Sequence, residues 1–307
     1  MSNSPLRLCH GIPHDARIYA IMSTAEGDPA AHKREQREYW AKAAAGWRLN
    51  DERIRRATAP MTERMIELAG IRPGMRVLDL AGGSGEPGLP IAHVVGPSGS
   101  VLLTDQSPEQ LDFAREKAAA QGLSNVEFRV ADAEEIDVEE GAFDAVTCRW
   151  GIMFMPEPAR ALRAAHKALR PGGRVAVAAW GPPHLNPFYT RPFSVLMKYA
   201  DVRPPDVGQC PGMFAFAERT RLAALLSDAG FRDVVVEDLE LTPADYESGD
   251  AYWEAVQLSG PISRELGKLP EAAKDALCWD LIDAVTDGDP SAPVRLKGYA
   301  ILAVGAK

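Results

Sequence analysis

The sequence predicts an α/β fold, a largely parallel sheet covered by helices on both faces. Three observations predict it. Short apolar runs at 76–80, 101–104, 126–130, 143–148 and 174–180 read as strands. Stretches with helical spacing and helix punctuation lie between them. That alternation joins parallel strands by right-handed crossovers, so strand ends and helix starts gather along one edge, where ligands bind.

Each element follows from local chemistry. Residues 31–49 are rich in Ala, Glu, Lys and Arg and carry Tyr39, Trp40 and Trp47, which predicts a helix. Residues 60–69 predict a second, with Met61, Met65, Ile66 and Leu68 apolar and Gly70 just past its end. Residues 89–95 read as helical. The helix over 107–121 has Ser107 as N-cap, Pro108 at the first position, Gln110 closing a capping box and Gly122 after the end. Residues 158–169 place Leu162, Ala165 and Leu169 on one helical face, and Arg170-Pro171-Gly172-Gly173 reads as a turn. Residues 218–229 space Leu222, Leu225, Leu226 and Ala229 at i, i+3, i+4 and i+7. Runs at 234–241 and 298–304 are the last strands, and no internal repeat is visible.

Composition narrows the function. The 307 residues hold 34 Lys+Arg against 43 Asp+Glu, a net charge of −9, which argues against a nucleic-acid partner. At 46% hydrophobic, the chain has enough apolar surface to offset ordering entropy. No apolar run reaches roughly 18 residues, so no membrane span is expected. Cys9, Cys148, Cys210 and Cys278 form no C-x-x-C pair. Neither a disulfide framework nor a structural metal site is expected, and a reducing cytoplasm suits the chain. Residues 1–30 show no clean period and no signal-peptide pattern, and read as a disordered extension. Within it residues 1–21 read as dispensable, and His10 and His14 as part of a solvated tail.

The chemistry concentrates after the first strand. Gly83-Ser84-Gly85-Glu86-Pro87-Gly88 satisfies G-x-G-x-x-G, whose small residues let backbone N–H groups approach a ligand closely. Asp105 follows Gly85 by twenty residues, at the end of the second strand, where a carboxylate binds ribose hydroxyls. A dinucleotide such as NAD and S-adenosylmethionine both fit, and an NAD(P)-dependent oxidoreductase is the alternative reading. Asp79 favours the second cofactor, because a carboxylate under the loop opposes a pyrophosphate but attracts an ammonium and a sulfonium. Asp132, after the third strand, is placed to accept from an adenine amino group or to cap a helix.

The segments 77–85, Thr104-Asp105, Ala131-Asp132-Ala133, Phe143-Asp144-Ala145-Val146 and Leu169-Arg170-Pro171-Gly172-Gly173 together resemble class I S-adenosylmethionine-dependent methyltransferases. The likeness is nearest to the ubiquinone/menaquinone-biosynthesis C-methyltransferase branch, strong over residues 35–182 and weaker beyond. Ala81 stands where the family's D-x-G-x-G-x-G motif has its first glycine. The resemblance implies a Rossmann-like, seven-stranded, mostly parallel sheet with an antiparallel last strand. It implies an enzyme that moves a methyl group from S-adenosylmethionine to a small acceptor by in-line displacement. Asp79, Ala81, Gly83, Ser84 and Gly85 would hold the methionine moiety, Asp105 the ribose and Gln106 the adenine. Asp132 and Ala133 would meet the adenine edge, with Arg149 and Trp150 near the sulfonium.

Residues 31–307 are read as one methyltransferase domain. Residues 31–57 form an N-terminal cap helix, and 181–216 and 242–297 are substrate-side insertions. Aromatic and Met side chains in these regions favour a hydrophobic or aromatic acceptor, with Tyr39, Trp47, Met153, Phe188 and Tyr189 as candidate binding residues. His184 and Tyr189 are the candidate general bases for an acceptor that must lose a proton. Arg149 is a further candidate, for an anionic acceptor group or for a pair with Asp144. No metal is expected, and the chain is read as a monomer or homodimer with a small-molecule partner.

Overall fold

The computed structural model describes residues 28–258 and 260–307. Most of the expected N-terminal extension, with Cys9, His10 and His14, lies outside them. Seven strands form one sheet: β1 (Arg76–Leu80), β2 (Ser100–Asp105), β3 (Val126–Val130), β4 (Phe143–Arg149), β5 (Leu169–Trp180), β6 (Arg232–Tyr246) and β7 (Val294–Ala306). Their order is β3-β2-β1-β4-β5-β7-β6. The first five are parallel to one another, and β7 runs antiparallel to both β5 and β6. Helices α1 (Pro29–Ala69), α2 (Gly88–Val95), α3 (Pro108–Ala120), α4 (Pro158–Ala168) and α6 (Arg219–Asp228) flank it, and α5 (Pro187–Leu196) follows β5. Val77, Leu78, Val101, Leu103, Val146, Val175 and Val177 are buried at the centre. Each such side chain contributes about 1.5–3 kcal/mol relative to exposure, which fixes the sheet as the rigid part.

The first helix departs from expectation. Helices over 31–49 and 60–69 were expected, but α1 is continuous across 41 residues with Pro60 inside it. The intervening residues are good helix formers, braced by an Arg55–Glu52 pair at 2.7 Å. Met61, Met65 and Ala69 are buried on the sheet, so tertiary packing outweighs the hydrogen bond that Pro60 cannot make. Gly70 ends the helix in the left-handed region, φ 66°, as expected.

Two smaller differences have local causes. Ser107 caps α3 by accepting from the Gln110 N–H, but the reciprocal half of the capping box is absent. The Ser107 N–H donates instead to Asp105, and the Gln110 amide reaches the Trp40 carbonyl on α1. Residues 170–173 join β5 rather than forming a separate turn, next to a register shift opposite Phe143 and Ala145.

The insertion expected over 242–297 is narrower as a helical unit, because β6 runs to Tyr246 and β7 begins at Val294. Between them lie α7 (Gly249–Val256), α8 (Gly260–Leu266) and α9 (Glu271–Thr286). Tyr252, Leu277, Leu281 and Val285 from this unit pack with Val195 and Leu196 of α5 into a second apolar cluster. The two insertions thus share one core.

The continuity of α1 generates a test. Pro60→Ala restores a backbone donor at mid-helix and is expected to raise Tm by about 2–4 °C, near 1 kcal/mol for a chain this size. A fall in Tm on thermal unfolding would mean that the proline ring packs in a way alanine cannot replace.

Candidate active site

The site is built at the carboxyl ends of β1, β2 and β4. Asp79 in β1 is fully buried. Its Oδ1 accepts from Thr147 Oγ1 of β4 at 2.7 Å, and its Oδ2 has no hydrogen-bond partner among the described residues. The Gly88 N–H at the start of α2 favours the charge without meeting hydrogen-bond geometry. Burial dominates and pushes the Asp79 pKa up to about 7.

The glycine loop is shaped around that carboxylate. A Cβ on Gly82 would lie 2.5 Å from Asp79 Oδ2, and one on Gly88 2.9 Å from it. The Gly82 N–H donates to the Thr104 carbonyl at 2.9 Å, and the Gly83 N–H to Asp105 Oδ2 at 2.9 Å. Asp105 Oδ1 accepts from the Ser107 N–H at 2.9 Å. The Gln106 N–H also favours the charge, and burial, the larger effect, raises the Asp105 pKa to about 6. Ala81 adopts φ 53°, the region glycine favours, which is the local cost of its departure from the motif. Its methyl fills the space beside Gly151, where a Cβ would lie 2.5 Å away. Ser84, Gly85 and Gln106 complete this cluster in sequence, with Gly85 buried and Ser84 and Gln106 partly exposed.

Arg149, at the end of β4, is buried. It does not pair with Asp144, which instead accepts from Arg170 and from the Arg76 N–H. Its guanidinium donates to Thr58 Oγ1 at 2.8 Å and Thr62 Oγ1 at 3.1 Å, both on α1, and stands 3.8 Å from Glu86. Its Nε has no partner. Trp150 follows with φ 57°, and its ring stacks on Trp180 at 4.6 Å and 7°. The Trp150 Nε1–H is buried and unpartnered.

Asp132 caps no helix and is partnered on both oxygens. Its Oδ1 accepts from the Glu134 N–H, and its Oδ2 lies 2.7 Å from Lys33 Nζ of α1. Lys33 also reaches Glu134 at 2.6 Å. Ala133, between them, is buried.

The acceptor-side candidates fall into groups. Phe188 packs on Trp180 at 4.7 Å. Trp40 contacts Tyr39, Trp47 and Phe154 at 5.0, 6.2 and 5.5 Å. Tyr189 stacks on Phe193 and meets Phe214 edge-on, both at 5.5 Å. Its hydroxyl is buried without a partner, and burial pushes its pKa above the ordinary value. Met153 is buried, and its carbonyl accepts from the Gly212 N–H. His184 is exposed, with no hydrogen-bond or ion-pair partner among the described residues. The turn that carries it is held by Asn186, which donates to the Gly181 and Pro182 carbonyls and accepts from the Tyr299 N–H.

Sequence reasoning missed Thr58, Thr62, Lys33 and Glu86. Thr58 and Thr62 stand one helical turn apart, flanking the buried Met61, a polar pair on a buried face. Nothing in the sequence ties Lys33 to Asp132, because α1 makes that contact through tertiary packing.

The residues fit S-adenosylmethionine. A buried carboxylate with a free oxygen suits an ammonium, Asp105 suits hydroxyl donors, and the free Arg149 Nε suits a carboxylate. A pyrophosphate has no such match beside Asp79.

Three outcomes follow. Gly82→Ala is expected to cost about 1–3 kcal/mol in unfolding titrations, because its methyl enters Asp79 and Leu103. Ala81→Gly is expected to raise Tm by about 1–4 °C by relieving the positive φ. Folded Asp79 titrates near 7 against an ordinary 3.8, so the folded state holds the extra proton between those values. Stability from this group is therefore present below about pH 4 and lost as pH rises through about 7. The Tm of Asp79→Asn relative to wild type is expected to climb between about pH 5 and 7 and to level off above that.

Comparison with known proteins gives the family. A family model described as a methyltransferase domain matches residues 71–187. The ubiquinone/menaquinone biosynthesis C-methyltransferase UbiE of Cronobacter sakazakii is 32% identical over 178 residues, 55% of this chain and 71% of that one. The same enzyme of Yersinia pestis is 31% identical over 183 residues, 57% of this chain and 73% of that one. Among solved structures, the YcgJ protein of Bacillus subtilis aligns with TM-score 0.51 and 20% identity, covering 80% of this chain and 97% of that one. A Bacillus halodurans protein aligns with TM-score 0.52 and 17% identity, covering 80% and 98%. These two show likeness of fold. None of these matches supports the nicotinamide alternative. The chain belongs to the class I S-adenosylmethionine-dependent methyltransferases and is an enzyme of methyl transfer.

Proposed function

We propose that the enzyme methylates a small apolar or aromatic acceptor held between α1, the 150–154 turn and the 181–216 and 242–297 insertions. Two aromatic groups support the reading, Tyr39 and Trp40 of α1 with Phe154 after β4, and Trp150 with Trp180 and Phe188. Such rings give a large apolar contact area with defined stacking geometry. The names of the UbiE relatives, which specify quinone biosynthesis, are in keeping with an aromatic acceptor.

On the donor side, Asp79 offers its free oxygen to the ammonium and Arg149 its Nε to the carboxylate of the methionine moiety. Asp105 accepts from the ribose hydroxyls, with Gly83 to Gly85 giving close backbone approach and Gln106 and Ala133 flanking the adenine. Lys33 holds Asp132, so this carboxylate shares itself between α1 and the adenine edge. When bound, S-adenosylmethionine supplies a methyl group activated by its sulfonium. The protein's part is to hold the acceptor in line with that carbon and to exclude water. Tyr189 stays protonated and acts as a donor, because burial opposes its ionisation.

Calorimetric titration tests the donor side. S-Adenosylhomocysteine is expected to bind, Asp105→Ala to weaken it at least about tenfold, and NAD and NADP not to bind. Binding of NAD or NADP alone would overturn the assignment. Label transfer from methyl-labelled donor to a panel of aromatic small molecules tests the acceptor side. His184→Ala is expected to leave that transfer within about threefold, since its side chain is exposed.

A further inference from the structure

Arg264, in the last turn of α8, has no carboxylate within ion-pair distance among the described residues. Other cations at this edge are engaged, Lys33 by Asp132 and Glu134, Lys117 by Asp51. Arg264 is partly buried, and its guanidinium carbon sits 4.7 Å over the Tyr39 ring. Tyr39 belongs to the Trp40–Phe154 cluster on one side of the acceptor region. Helix α8 also packs on α5, which carries Tyr189. The Tyr189 side chain is 9% exposed, and its buried hydroxyl lacks a partner. The charge of Arg264 and the presence of Tyr39 are both felt at that hydroxyl. A guanidinium with no anion and a buried hydroxyl with no partner, both among the described residues, therefore lie close enough to interact, with the Tyr39 ring against the guanidinium. Buried polar groups are expected to have partners, and a carboxylate satisfies both at once.

We propose that Arg264 and Tyr189 recognise a carboxylate on the acceptor, making the enzyme selective for aromatic acids over their neutral analogues. The proposal rests on the aromatic-acceptor reading and adds the ionic substituent to it. No bond changes at this pair. It orients the acceptor by a charge-assisted hydrogen bond at one end, leaving the other end toward Trp150.

The test is calorimetric binding to the full chain in the presence of S-adenosylhomocysteine. The probes are 2-naphthoate and its neutral analogue 2-naphthalenemethanol. Wild type is expected to bind the acid at least about tenfold more tightly. Arg264→Gln is expected to abolish that preference, chiefly by weakening the acid at least about tenfold. Arg264→Lys is expected to keep part of it, since the point charge remains without the planar fork. Tyr189→Phe is expected to reduce it by a smaller factor. Equal affinities in wild type, or a preference that persists in Arg264→Gln, would overturn the inference and leave the aromatic-acceptor reading standing. Failure of both probes to bind would overturn that reading and this inference with it.

Discussion

The site depends on one buried carboxylate. Asp79 has a single hydrogen-bond donor, Thr147, for a group that in water would be solvated on both oxygens. Burying such a charge is costly unless a partner arrives, and its pKa rises accordingly. The surrounding architecture follows. Gly82 and Gly88 carry no side chain because Asp79 Oδ2 occupies the space. Arg149 supplies the nearest compensating positive charge, and is itself kept by two threonines of α1. The sheet edge, the glycine loop and the first helix are thereby one electrostatic unit with an unmet need for a cation.

Helix α1 spans that unit. Near its start Lys33 holds Asp132 and Glu134, and Gln110 of α3 reaches the Trp40 carbonyl. Lys117 of α3 meets Asp51 at 2.7 Å, Arg149 meets Thr58 and Thr62, and near the end Arg64 meets Glu237 of β6. Exposed pairs such as Arg48–Glu116 add little stability. The burial of Met61 and Met65 anchors the helix, and the polar contacts set its register over the strand ends. A continuous helix in this position carries Thr58 and Thr62 to Arg149 with its middle and Tyr39 and Trp40 to Phe154 nearer its start.

Much of this was legible in the sequence because it is local. Strand β1, the N-cap Ser107, the C-terminal Gly70 and the glycine loop each follow from residues within a few positions of one another. The join across Pro60 was not legible, since a proline is a local stop signal that distant packing overrides. The same holds for Asp132, whose sequence context suits a cap or an adenine contact, while Lys33 is brought to it from almost a hundred residues away. Arg149 stands out in the sequence, but its partners on α1 depend on the angle at which that helix crosses the sheet. His184 attracted notice by its place after β5, yet that place fixes the backbone and leaves the side chain in solvent.

In the proposed donor site Asp79 accepts the cation of the methionine moiety. The most direct test of that role is proton release on binding S-adenosylhomocysteine, from calorimetry near about pH 6.5 in two buffers of different ionisation enthalpy. Release of about half to three-quarters of a proton per site is expected, as the ammonium drives a carboxylate of pKa about 7 to ionise. Asp79→Asn is expected to abolish most of that release while some binding remains. Binding without proton release, or release unchanged in Asp79→Asn, would contradict that role.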